Sequence, residues 1–331
     1  MKRLLSSLLA LFIASHAAAE PRLEGAAEWI NSPPLSLPQR RGKVVLVDFW
    51  TYSCINCLRT LPYLRAWAQR YGSQGLVVIG VHAPEFSFEK KHGNVRKAVQ
   101  DLMLDYPIAI DGDFAVWRSF QNQAWPTFHV LDAQGRLRHR QVGEGGYEQT
   151  ERLIQQLLME AGAAPMAAAG LAPIKAAGVG LAPDLANVRT PETYLGYQQG
   201  GGRGILRDRL KRYAASEPRL NDWALSGDWV VHAEQAEAAG NEATVVLRFH
   251  ARDLHLVLGP AADGRPLPFR ITLDGQPPGS DSGLDVDAEG RGEITGERLY
   301  QLVRQRGPIR ERRFEIRFGA PGAKVYAFTF G

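Results

Sequence analysis

Cysteine is almost absent from the 331-residue sequence: only two occur, both in the motif Cys54-Ile55-Asn56-Cys57. So sparing a use builds no structural disulfide framework, and half a zinc site would need two further ligands that no second cysteine pair supplies. Long apolar runs are lacking as well, since a bilayer-spanning helix needs about 20 residues and none is found. Neither sign of charge dominates, with 39 Lys+Arg against 35 Asp+Glu, which leaves no electrostatic case for nucleic acid as a partner. No internal repeat is visible. With 45% apolar and 22% charged residues, the composition excludes disordered and fibrous classes and allows two domains.

What is present begins with Lys2 and Arg3, an apolar stretch from Leu4 to Ala14, and Ala17-Ala18-Ala19 before Glu20. This pattern predicts a cleaved secretory signal over residues 1–19. Discounting Lys2 and Arg3 leaves 37 basic against 35 acidic residues, a net charge near +2. The expected mature protein is exported, periplasmic and soluble.

Residues 20–160 alternate strand and helix patterns. Val44–Phe49 and Gly75–Val81 read as buried strands, and Cys57–Tyr71 and Val95–Asp105 as helices. Thr127–Asp132 and Leu137–Val142 read as a strand pair and Glu148–Glu160 as a closing helix. A βαβ start followed by a hairpin predicts an α/β fold, a mixed sheet with flanking helices. Residues 161–190 are rich in Ala, Gly and Pro, the composition of a linker, yet too apolar for purely solvated coil. Residues 191–331 change to short β-prone runs with turn signals at Asp274-Gly275, Glu289-Gly290 and Pro321-Gly322. These predict an all-β antiparallel sandwich.

The chemistry gathers at the cysteines. A thiol attacks as its thiolate, and a helix N-terminus favours that charge. Cys54 follows a strand and opens a helix, so it is read as the attacker. Cys57, one turn on, is placed to resolve a mixed disulfide formed on Cys54. No cofactor is expected beyond the Cys54–Cys57 redox disulfide.

Val47-Asp48-Phe49-Trp50, Cys54, Cys57 and Pro62 keep the order and spacing of the thioredoxin active-site segment. Trp29-Ile30-Asn31-Ser32, the stretch GKVVLVDFWTYSCINC and GVHAPEF resemble the redoxin part of DipZ-type proteins. Thr193-Tyr194-Leu195-Gly196-Tyr197 and Phe328-Thr329-Phe330-Gly331 are similar to that family's C-terminal domain.

The resemblance implies a TlpA-like thioredoxin fold followed by a jelly roll like that of a carbohydrate-binding module. It implies a cis bond before Pro126, facing the cysteines, with Trp125 on the rim and Thr127 beside it as substrate-contacting residues. Asp48 would be the buried general acid/base, for which burial raises a carboxyl pKa. Glu85 would be a second acidic residue near the disulfide. Ile55 and Asn56, also expected to contact substrate, replace the dipeptide of thioredoxin, and Ser53 its Trp, so neither potential nor client can be transferred. Expected partners are exported proteins bearing disulfides and a CcdA- or DsbD-type membrane electron donor, with cytochrome c biogenesis a setting suggested by TlpA-like redoxins.

Two other readings stand beside this one. A peroxidase would use Thr51, three residues before Cys54, but the peroxiredoxin pattern wants Pro where Val47 stands. A glycan- or partner-binding module would place the function in the second domain, with Trp223, Trp229 and Tyr300 as candidates to stack on a sugar ring. Asp285–Gly290 imitates a calcium loop, but Gly296 occupies the position of the bidentate Glu, so a polar hairpin is preferred.

Overall fold

The computed structural model describes residues 21–164, 170–200 and 204–331; the predicted signal segment lies outside them. The apolar run after Lys43 forms β2 (Val44–Trp50), every residue of which is buried. It lies at the middle of a six-stranded sheet ordered β1-β4-β3-β2-β5-β6. The other strands are β1 (Glu28–Ile30), β3 (Leu76–His82), β4 (Ile108–Ile110), β5 (Thr127–Leu131) and β6 (Leu137–Val142). β2, β3 and β4 run parallel, while β1, β5 and β6 join antiparallel, which makes the sheet mixed. The helices are α1 (Ile55–Tyr71), α2 (His92–Asp101), α3 (Ala115–Ser119) and α4 (Tyr147–Glu160).

Alternation along β2 divides its side chains between two faces. Val44, Leu46 and Trp50 join the apolar core with α1, α2 and α4. Val45, Val47 and Phe49 join a smaller core with Val116 of α3. Asp48 therefore points toward the α1 side.

Three short elements, β1, β4 and α3, are too brief to register as periodicity. The helix expected over 95–105 begins three residues earlier and ends at Asp101. Met103 takes a φ of +51°, a left-handed conformation that a continuing helix does not accommodate.

The second region contains β7 (Thr193–Tyr194), β8 (Leu210–Tyr213), β9 (Trp223–Val231), β10 (Ala236–Ala238), β11 (Thr244–Phe249) and β12 (Asp253–Gly259). Then follow β13 (Leu267–Leu273), β14 (Arg291–Ile294), β15 (Arg298–Arg304), β16 (Arg312–Phe318) and β17 (Lys324–Phe330). All eleven pair antiparallel in one curled sheet. β9 crosses between its two layers. Trp223–Ser226 pair with β11, and Trp229–Val231 with β10. Gly227, at a φ of +88°, makes the bend between the two halves, a conformation that costs glycine little.

The two regions share apolar surface. Val257, Leu299, Tyr326 and Ala327 belong to the same core as α1 and α4, and Tyr326 packs on Phe86 and Phe88 at 5.2 and 4.8 Å. The Ala/Gly/Pro segment lies in this seam. Ala172 is buried and its amide donates to Glu151 Oε1 at 2.6 Å, while Ile174 and Val179 pack on the core. Among the described residues no helix is long and apolar enough to cross a membrane.

Candidate active site

The chain leaves β2 through a short turn, Thr51–Cys54, and enters α1 at Ile55. Cys54 caps the helix with φ −84° and ψ 115°, and the Cys57 amide donates to its sulfur at 3.3 Å. This is the donor that a negative sulfur at a helix N-terminus requires. Cys54 is half-buried, Cys57 is fully buried, and both thiols are free. Burial pushes the Cys57 thiol well up, and the neighbouring Cys54 and Asp48 add to the effect.

Asp48 is fully buried and neither carboxyl oxygen has a hydrogen-bond partner. Burial therefore drives its pKa well above the ordinary carboxylate range. A carboxyl so poised can hold or accept a proton beside the resolving sulfur.

The loop before Cys54 is held by Glu89, a residue the sequence reading did not select. Glu89 Oε1 accepts from Ser53 Oγ at 2.7 Å and from the Ser53 amide at 3.3 Å. Its Oε2 accepts from the amides of Glu85 and Phe86 at 2.6 and 3.0 Å. Glu89 is fully buried, and burial outweighs these bonds in raising its pKa.

Glu85, expected near the sulfurs, has its carboxyl directed elsewhere. It accepts from Tyr194 Oη at 2.5 Å, and the same hydroxyl reaches Glu192 at 3.0 Å. Burial, with repulsion from Glu192, pushes Glu85 up to about 8. One hydroxyl hydrogen cannot serve two carboxylates at once, so a proton kept on Glu85 suits the arrangement.

The Trp125–Pro126 bond is cis. Trp125 is half-buried, with its indole donating to the Ala83 carbonyl at 3.0 Å and its ring 4.5 Å from Trp117. Pro126 O accepts from the Gly143 amide at 2.9 Å.

Two expected contact residues do not present their side chains. Thr127 is fully buried and donates to the Ala124 carbonyl at 2.8 Å, because it already belongs to β5. Ile55 is 2% exposed and forms part of the apolar core, as the first residue of α1's buried face. Asn56 is half-buried, and its Oδ1 accepts from Arg59.

His82, also not selected from sequence, is buried beneath this loop. Its Nε2 lies 3.3 Å from Thr51 Oγ1, and its ring stacks on Tyr52. Burial lowers its pKa to about 3, so it stays neutral.

In the second region, Trp229 and Tyr300 are fully buried core residues and cannot stack on a sugar. Trp229 spends its indole donor on Ser226 O, and Tyr300 donates its hydroxyl to Gly296 O. Trp223 alone of the three lines a groove, together with Tyr194, Tyr213 and Asn221. Asp285 and Asp287 are occupied by Arg298 and Arg291 and by backbone amides, so the segment is a polar turn leading into β14.

Residues 31–158 match the Redoxin family, and residues 190–331 match the family described as a thioredoxin-like C-terminal domain. The chain is 36% identical over 321 residues to Protein DipZ of Mycobacterium tuberculosis, covering 94% of this chain and 42% of that protein. It thus spans less than half of that relative's length. It is 29% identical over 140 residues to the thiol-disulfide oxidoreductase YkuV of Bacillus subtilis, covering 42% of this chain and 94% of that protein. Among solved structures it is similar to a thioredoxin-like protein in the oxidized form. That match has 29% identity and a TM-score of 0.40, covering 43% of this chain and 96% of the other.

Proposed function

The chain belongs to the thioredoxin superfamily, joining a redoxin domain to a thioredoxin-like C-terminal domain, and from that premise we propose that it is a thiol-disulfide oxidoreductase acting on disulfides of exported proteins. The observation that carries this reading is the arrangement of Cys54, Cys57 and Asp48: a half-exposed sulfur at a helix N-terminus, a buried sulfur one turn on, and a buried carboxyl on the strand beneath.

Cys54, as its thiolate, attacks one sulfur of a client disulfide. A mixed disulfide forms and the first client thiolate leaves. Cys57 yields its proton to the Asp48 carboxyl, which takes it up from its ionised form, the form burial makes the stronger base, and attacks the Cys54 sulfur. The Cys54–Cys57 disulfide forms, the second client thiolate leaves, and two electrons have passed to the client. Trp125 and Pro126 border the approach to Cys54. A membrane donor of the CcdA or DsbD type returns the pair to the dithiol, and export by the 1–19 segment places the protein beside it.

The test is the reduction potential of the pair, by equilibration with glutathione and thiol counting. A value near −270 mV, about that of thioredoxin, supports the reductase direction, and one near −120 mV reverses it. Failure to form the intramolecular disulfide overturns the proposal.

A further inference from the structure

Arg59 is 2% exposed, although it carries a full charge. A guanidinium taken from water must be paired and must spend its donors, or the fold is penalised by several kcal/mol. Here the terminal nitrogens find partners in three separate places, while Nε has none. Nη1 donates to Glu144 Oε1 at 3.0 Å and to Asn56 Oδ1 at 3.4 Å. Both terminal nitrogens reach the Phe330 carbonyl at 3.4 Å. Asn56 lies between the two cysteines. Glu144 follows Gly143, whose amide donates to Pro126 O. Phe330 ends β17 of the second region.

Seen from the second region, the contact is close. A Cβ added at Gly331 would stand 1.7 Å from Arg59 Nη2, so the backbone of residues 330–331 lies directly against the guanidinium. A single planar fork with five donors is the group suited to bind three acceptors at once.

We propose that Arg59 is a positioning residue through which the C-terminal domain sets the dithiol–disulfide equilibrium of Cys54 and Cys57. The inference rests on the exchange reading above. Oxidation draws the two sulfurs to a bond of about 2.05 Å, and Asn56, between them, must follow. With both thiols free, Asn56 is gripped by Arg59. The grip therefore favours the dithiol, and loosening it favours the disulfide.

The test uses the full chain in glutathione buffers, with thiols counted at equilibrium. Arg59→Gln and Gly331→Ala are expected to move the equilibrium constant toward the disulfide by about threefold to tenfold, the scale of one modest hydrogen bond. Arg59→Lys restores part of the difference, and Arg152→Gln, which breaks only an exposed helix pair with Glu148, leaves it unchanged. Should Arg59→Gln fail to fold, Gly331→Ala alone decides, because it changes no residue of the redoxin domain. An unchanged constant in a folded Gly331→Ala protein overturns the coupling. A parent chain that forms no Cys54–Cys57 disulfide overturns the exchange reading, and the coupling with it.

Discussion

The hydroxyl of Ser53 donates to Glu89 at 2.7 Å, so the residue immediately before the half-exposed sulfur is fixed by a carboxylate from beyond the end of β3. Glu89→Gln exchanges one accepting oxygen for a donor and leaves two of the four donors without an acceptor. A loss of about 2–3 kcal/mol follows from the desolvation of those groups. Urea unfolding should show a lower midpoint with an unchanged slope; an unaltered midpoint would contradict this account.

Asp48 presents the opposite balance. Its carboxyl is buried without a hydrogen bond, so the fold bears its cost. Asp48→Ala should raise stability at neutral pH by roughly 1–3 kcal/mol and slow the resolving step by about a hundredfold or more, the usual contribution of a general base. Stopped-flow turnover of a model disulfide would show the mixed disulfide accumulating. Faster resolution, or lower stability, would refute the role.

Buried titrating groups shape the dependence of stability on pH. Burial lowers His82 and His255 to about 3 and His129 to about 4. The folded chain leaves them neutral where the unfolded chain takes up protons, so stability falls as pH drops below about 6.5. Glu85 acts on the other side. The folded chain keeps its proton up to about 8, while the unfolded chain loses it near 4.5, so this term declines as pH rises between those values. Asp48 and Glu89, which burial also raises, act in the same sense as Glu85, so above about 6.5, where the histidines no longer contribute a slope, stability should decline with pH. Urea midpoints from pH 6.5 to 9 test this decline, and Glu85→Gln should make it shallower.

The two tryptophans considered for sugar stacking should separate cleanly. Trp229→Ala opens a cavity in a packed core and should cost about 3–5 kcal/mol. Trp223→Ala, on a half-buried groove residue, should cost less than half of that by thermal or urea unfolding. Equal losses would contradict the assignment of Trp229 to the core and Trp223 to the groove.

Much of this arrangement was legible in the chain itself. The six apolar residues of β2 around Asp48 and the helical spacing after Cys57 carry strong signals, and the cysteine spacing places both sulfurs on one turn. Glu89 carries no such signal: in Phe86-Ser87-Phe88-Glu89-Lys90 a lone Glu beside Lys reads as surface charge, and only the folded loop sets its carboxyl under Ser53. Arg59 is hidden for the same reason, since its partners lie 85 and 271 residues away. A buried helix position occupied by Arg, three residues after Asn56, was the one available hint. Ile55 and Thr127 were misplaced because a motif fixes spacing, not which way a side chain turns.

β9 has a consequence for how the second region comes apart. A strand that belongs to both layers lets neither peel away without breaking hydrogen bonds in the other. Its unfolding should therefore be a single cooperative event. Native-state amide exchange should find one slow set running unbroken from Trp223 through Gly227 to Val231, with no layer that opens first.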